Sequence, residues 1–293
     1  MYLDAPSDEK EFTDDDERIL TTFSDQAAIA IKNARFAREM KDKRAIEKEL
    51  EIAGQIQRHL LPAGAPTVPG LEVFGESLPA KEVGGDYFDF IPSPDGKSLA
   101  ICIGDVSGKG ISAGLIMVMA RSILRSLVWR CETTRDALFE LNRILSPDLE
   151  NGRFISMILM RWDSATSTLR YTGAGHEHLL VYRAAEDHCE RIPAGGAVLG
   201  IPWEGIQDRF PETPLVLAPG DQVLLYTDGA TDVRNKDGEF FGLRRLQRIV
   251  ETQGALGPDQ LVYTILEKVS NFQGSEEMSD DITLIAMRRK PID

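Results

Sequence analysis

Ile103-Gly104-Asp105-Val106-Ser107-Gly108-Lys109-Gly110 closes an apolar run with a carboxylate and then turns through a glycine-rich loop. The same design recurs at Gly84-Gly85-Asp86-Tyr87-Phe88-Asp89, at Tyr226-Thr227-Asp228-Gly229 and at Ser279-Asp280-Asp281-Ile282-Thr283. In each, an aspartate follows or leads an apolar, strand-like run beside glycine or another small turn residue. A carboxylate buried alone at a strand end is costly. Several gathered there repel one another unless a cation sits between them. Hard cations such as Mg²⁺ and Mn²⁺ prefer oxygen ligands and keep several waters, and glycine lets backbone and ion approach closely. The pattern points to a binuclear Mg²⁺/Mn²⁺ site. Taken singly, each motif also reads as turn or cap chemistry; it is the fourfold recurrence that favours the metal.

Gly104 to Gly110 does not form a phosphate-binding loop of the G-x-x-x-x-G-K-[ST] type. The first required glycine would fall at Ile103, and Gly110 stands where a Ser or Thr would hold magnesium. The stretch instead leads into a helix predicted from Ile111 to Arg130, whose N-terminus can help to hold anionic groups.

Outward from these motifs the texture is α+β. Strands are predicted at Leu99 to Ile103, Phe154 to Arg161, Thr168 to Tyr171, Leu179 to Arg183, Gln222 to Tyr226 and Ile282 to Met287. Further helices are predicted at Thr134 to Leu145, capped by Thr133/Thr134, at Leu243 to Thr252 and at Pro258 to Asn271. Asp95-Gly96 and Asp237-Gly238 signal hairpin turns. Groups of strands interrupted by helices imply layered sheets covered by helices. Before the Pro/Gly-rich connector from Ala63 to Gly70, the text from Asp14 to Leu61 reads as one long helix. It contains no proline and one glycine, Gly54. Thr13 and the acids after it form a good N-cap, and Ile19, Phe23, Ala27, Ala30, Ile31 and Ala34 recur at helical spacing.

The chain has 293 residues, 42% of them hydrophobic, and a formal net charge of -14. That charge argues against nucleic acid, whose phosphates call for clustered Lys and Arg, and against an anionic membrane surface. No apolar run approaches the roughly 20 residues of a membrane span, and no secretory signal opens the chain. Cys102, Cys131 and Cys189 are widely spaced and odd in number, which suggests reduced thiols. A cytoplasmic setting is expected. His176 and His178 stand at alternate positions, the spacing of a metal-binding pair; a surface place is expected for His178.

The ordered run GGDYFDF, GDVSGKGISAG, TGAGHEHLLVY, LGI, PGDQVLLYTDGATDV, FG and SDDITL closely resembles the PPM metal-dependent serine/threonine phosphatases, in particular their bacterial SpoIIE-like branch. The resemblance runs from about Leu71 to Arg289. It implies a PPM-type antiparallel β-sandwich flanked by helices over 70–290, with metals at one edge. It also implies that Asp86 ligates one metal, that Asp105 bridges two Mn²⁺ or Mg²⁺ ions with the Val106 carbonyl adding an oxygen, and that Asp228 and Asp280 hold the second. Asp105 and Asp86 are thereby the catalytic pair. Asp89 and Asp281 would orient from the outer shell, and Lys81 stands where the wider family has a phosphate-binding arginine. The implied chemistry is direct attack of a metal-activated water on phosphoserine or phosphothreonine. No histidine follows Asp105, so the proton donor to the leaving oxygen is expected to be a metal-bound water. The implied substrate is a phosphorylated STAS-type anti-sigma factor antagonist. The alternative is a catalytically weak module of the same fold that binds its phosphoprotein.

Residues 1–62 resemble the tail of a GAF sensor domain, from Tyr2-Leu3-Asp4-Ala5-Pro6 through the helix to Ala34, continued by a helical linker. The long helix with its thin apolar stripe suggests a parallel homodimer.

Overall fold

The computed structural model describes residues 13–149, 152–202 and 207–290. The chain divides into two units, Met1–Ile52 and Ala53–Asp293. Helix α1 (Asp14–Leu60) accounts for the described first unit, and its last turns belong to the second. Its start is the expected cap: the Thr13 hydroxyl accepts from the Asp16 amide at 3.3 Å, and the Asp16 carboxylate accepts from the Thr13 amide at 3.0 Å. The strand expected around Tyr2–Pro6 lies outside the described residues. Among those residues, no helix is long and apolar enough to cross a membrane.

The second unit is built on β1 (Leu71–Leu78), β2 (Tyr87–Pro92), β3 (Ser98–Val106), helices α2 (Ile111–Leu127) and α3 (Thr134–Leu145), then β4 (Ile155–Asp163), β5 (Thr168–Ala174), β6 (Leu179–Arg183), β7 (His188–Ile192), β8 (Glu212–Leu215) and β9 (Gln222–Tyr226). Helices α4 (Gly242–Gln253) and α5 (Pro258–Gln273) and strand β10 (Ile282–Arg289) complete it. The strands form two five-stranded antiparallel sheets, ordered β1-β10-β9-β6-β7 and β2-β3-β4-β5-β8.

Period-two patterning assigns each strand face to a layer. On β3, Leu99, Ile101 and Ile103 point into the core between the sheets, where they meet Phe90, Ile158, Val223 and Ile285. The intervening Ala100 and Cys102 face the other way, under α2 and α3, with Met117, Leu124, Leu138 and Leu141. The first sheet is covered on its outer face by α4 and α5, through Leu246, Val250, Leu261 and Ile265 against Leu224, Tyr226 and Leu284. Both sheets are thus buried on both faces, which explains why their central strands read as continuous apolar runs.

The predicted helices and central strands fall where expected. The β2–β3 hairpin turns at Asp95-Gly96, with Gly96 at φ +70°. Asp237-Gly238 makes a turn closed by a single bridge, Arg234 to Phe240. Strands β1, β7 and β8 were not anticipated, and each lies at a sheet edge. An edge strand is paired on one side only, so it tolerates the polar residues of Leu71–Leu78, His188–Ile192 and Glu212–Leu215.

The lone glycine of α1 has a packing reason. A Cβ at Gly54 would lie 1.8 Å from the Glu82 carbonyl oxygen, so only glycine admits the helix end this close to the loop before β2. Three residues on, buried Gln57 donates to the Gly84 carbonyl at 2.7 Å and accepts from the Gly84 amide at 3.0 Å.

Asp89, fully buried on β2, does not face the other aspartates. It accepts two hydrogen bonds from Arg125 of α2, at 2.6 and 2.8 Å, and one from the Tyr87 hydroxyl at 2.9 Å. This ties the helix layer to the sheet. Arg125→Ala should strand that carboxylate and cost roughly 3 kcal/mol. Urea unfolding should show a lower midpoint with an unchanged slope, partly restored when Asp89→Asn is added.

Candidate metal centre

At one end of the sandwich the two sheets deliver their aspartates to a common place. Asp86 immediately precedes β2 and Asp105 is the penultimate residue of β3, both on one sheet; Asp228 follows β9 and Asp280 precedes β10 on the other. Register fixes these positions: Asp105 lies opposite Ser156 on β4, and Leu284 of β10 lies opposite Tyr226 of β9.

Asp86 is the link between the sheets. One of its oxygens accepts from the Thr227 hydroxyl at 2.8 Å and from the Thr283 hydroxyl at 2.6 Å. Those threonines are themselves knitted across β9 and β10, the Thr283 amide donating to the Thr227 hydroxyl at 3.0 Å and the Thr227 amide to the Thr283 carbonyl at 3.0 Å. The Asp281 carboxylate works on backbone instead, accepting from the amides of Ala80 at 2.8 Å and Gly85 at 2.7 Å. A Cβ on Gly84 would lie 2.5 Å from that carboxylate, so the double glycine allows the loop to wrap it.

The electrostatics of the cluster are those of charges held together against repulsion. Asp86 is 6% exposed, and its pKa stands well above the carboxylate range because burial disfavours the anion and Asp105 lies beside it, with Asp281 adding to the effect. The Asp105 pKa is raised to about 7 by burial first, then by Asp228, Asp280 and Asp281. Asp228 is raised by burial and by Asp280, Asp232 and Glu177. These are the shifts expected of several carboxylates gathered in one desolvated site.

The cluster opens on a cleft of about 280 Å³ lined by Asp105, Lys109, Phe154, Ser156, His176, Glu177, Asp228 and Asp280 among others. His176 spans its floor. Its Nδ1 lies 2.8 Å from the Ser156 hydroxyl and its Nε2 3.1 Å from the Tyr226 carbonyl, and burial lowers its pKa to about 4. A neutral ring that accepts from Ser156 and donates to Tyr226 satisfies both contacts, so His176 is a strut between β4 and the end of β9. His178 Nδ1 lies 3.8 Å from a Glu177 carboxylate oxygen, beyond hydrogen-bond distance.

The donor set suits hard divalent cations: oxygen atoms only, several desolvated carboxylates, and a neighbouring opening. A Cβ on Gly85 would sit 3.1 Å from the Val106 carbonyl oxygen and 3.5 Å from Asp105 Oδ1, so this glycine keeps clear the ground beside both oxygens. Among the described residues, no three carboxylate, imidazole or thiol groups already close around one point as a ready metal cage. Cations that keep most of their water need few protein ligands in direct contact.

The four aspartates that the sequence singles out come together at one end of the fold, whereas Lys81 stands apart from them. Lys81 is exposed and lies outside the cleft lining. The ammonium that faces the cluster is that of Lys109, 2.7 Å from Asp280. Thr227 and Thr283 stood inside the quoted motifs, and their place beside the aspartates was the available signal for the support they give Asp86.

Comparison with known proteins agrees with this architecture. The family model for stage II sporulation protein E, SpoIIE, matches residues 95–290. The chain is 32% identical over 245 residues to the phosphoserine phosphatase RsbU of Bacillus subtilis, covering 84% of this chain and 71% of that protein. Among solved structures, the RsbU and RsbW domains of Rv1364c from Mycobacterium tuberculosis superpose with a TM-score of 0.68 at 28% identity, covering 80% of this chain and 64% of that one. The SiaA-PP2C domain of Pseudomonas aeruginosa superposes with a TM-score of 0.72 at 20% identity, covering 84% and 98%.

The raised Asp105 pKa has a consequence for the metal-free chain. Between the unfolded carboxylate value near 4 and the folded value of about 7, the folded state holds a proton that the unfolded state has released. Stability should therefore fall as pH rises through that window and level off above it. Melting temperatures in chelator from pH 4.5 to 8 should show a shallower fall for Asp105→Asn than for the wild type. The difference between the two chains removes the opposing contribution of His176, whose stability is lost on acidification. Parallel curves would rule out the proton on Asp105.

Proposed function

We propose that this chain, which belongs to the SpoIIE family of PP2C-type protein serine/threonine phosphatases, hydrolyses phosphoserine or phosphothreonine with the aspartate cluster as its metal centre. The observation that carries this reading is the junction at Asp86. A buried carboxylate anchored by hydroxyls from the opposite sheet stands in contact with Asp105, and Asp228 and Asp280 stand close enough to Asp105 to raise its pKa.

In this reading Asp86, Asp105 and the Val106 carbonyl would hold one Mn²⁺ or Mg²⁺, and Asp105, Asp228 and Asp280 would hold a second. When bound, such ions lower the pKa of water and neutralise charge on phosphoryl oxygens. The protein's own contribution is placement. Thr227 and Thr283 fix which oxygen of Asp86 is free, and Asp281 and Gln57 fix the backbone of Gly84 and Gly85 from opposite sides. The two sheets hold Asp105 and Asp228 at a set separation through His176, and Phe154 and Ser156 bound the entry to the cleft. Lys81, exposed and outside the cleft lining, would meet a phosphoprotein only at the rim of the site.

The substrate we propose is a phosphorylated STAS-type anti-sigma factor antagonist, within a bacterial sigma-factor pathway; membership of the SpoIIE family and the similarity to RsbU support it. Hydrolysis of p-nitrophenyl phosphate should require Mn²⁺ or Mg²⁺ and fall roughly 100-fold or more in Asp105→Asn, at least the largest loss usual for an outer-shell partner. Phosphorylated antagonist proteins should be dephosphorylated under the same conditions. Turnover insensitive to both metal and substitution would contradict the metal centre, and stoichiometric capture of the phosphoprotein without release of phosphate would favour a binding module.

We further propose that α1 pairs with a second copy and passes a signal to the centre through the Gln57–Gly84 clamp. Phe23, Ile31, Phe36 and Ile46 are more than half exposed along the helix, large apolar side chains left uncovered among the described residues. Sedimentation at micromolar concentration should give twice the chain mass for the wild type and a lighter species for Phe23→Glu/Phe36→Glu. A monomer in both would remove the pairing.

A further inference from the structure

We propose that Lys109 is a built-in counter-ion for Asp280, seated there in the metal-free chain and displaced when a divalent cation binds. The inference rests on the metal-centre reading above and adds to it a competitor carried on the chain itself. Lys109 Nζ lies 2.7 Å from Asp280 Oδ2 and donates to the Ser279 carbonyl at 2.5 Å, so the ammonium sits on oxygens of the very segment assigned to the second ion.

The backbone is built to put it there and to let it go. Gly108 and Gly110 on either side have φ of +96° and +78°, a left-handed conformation that residues with a Cβ avoid. Between these two turns the loop aims the lysine stem back across the cleft toward Ser279 and Asp280. The pair is only half shielded, the Lys109 side chain being 47% exposed and that of Asp280 36%. A released ammonium therefore returns to water at little cost. One positive charge offsets part of the repulsion among Asp105, Asp228 and Asp280, whereas a divalent cation offsets more of it from the same oxygens. Exchange is then driven by charge, and Lys109 sets the cation concentration at which it occurs.

The test is calorimetric titration of the metal-free full chain with Mn²⁺ at fixed ionic strength, for the wild type, Lys109→Met and Asp105→Asn, alongside melting temperatures in chelator. Methionine keeps an unbranched apolar stem and removes the charge. Lys109→Met should bind Mn²⁺ roughly two- to fivefold more tightly, the size of a half-exposed ion pair no longer given up. The same variant should melt lower than the wild type in chelator, because the carboxylates have lost their counter-charge. Tighter binding together with a less stable metal-free form is the signature of a displaced ion. Unchanged or weaker Mn²⁺ binding in Lys109→Met, with Asp105→Asn defective, would overturn the counter-ion role alone. Absence of binding in all three chains would overturn the metal centre and this inference together.

Discussion

Repulsion among desolvated carboxylates is the constraint around which the second unit is arranged. Asp86 and Asp105 touch, Asp228 and Asp280 lie near enough to raise the Asp105 pKa to about 7, and burial disfavours the charged form at each resolved position. Such a cluster would relax in a flexible loop. It persists here because its members stand at the ends of strands in two sheets, each buried on both faces, and those sheets are too well packed to yield. The hydroxyls of Thr227 and Thr283 and the ammonium of Lys109 offset part of the cost.

The same frame explains why the α-helices matter to the site although none of them supplies one of the four aspartates. Helix α2 is tied to β2 through Arg125 and Asp89, three residues beyond Asp86. The end of α1 reaches the loop before β2 through Gly54 and Gln57, two residues before Asp86 at Gly84. A shift of either helix must therefore be felt at the segment that carries Asp86. Buried polar pairs of this kind add specificity of placement more than net stability.

Central strands and amphipathic helices were legible because burial imposes unbroken apolar runs and regular spacing. The edge strands β1, β7 and β8 were not, since half-paired segments carry mixed residues that a linear reading assigns to loops. The site shows the same division. Aspartate beside glycine at a strand end announced Asp86, Asp105, Asp228 and Asp280, and the resemblance set Asp89 in the outer shell, but only the structure turns Asp89 to Arg125 while Asp86 faces the cluster. Asp89 opposes Cys102, on the face of β3 that lies under the helices, and only pairing with a neighbouring strand reveals that.

The amino-acid sequence by itself determined the α+β layering, the extent of the long helix and the identity of the four converging aspartates, because strand and helix periodicity and the need to compensate buried charge are local properties of the chain. The tertiary structure alone decided which cation faces them, Lys109 and not Lys81, and which hydroxyls hold Asp86. Those partners lie 141 and 197 residues from Asp86 and 170 residues from Lys109 along the chain. Contacts at that separation are set by the stacking of two sheets, and no spacing within a motif encodes it.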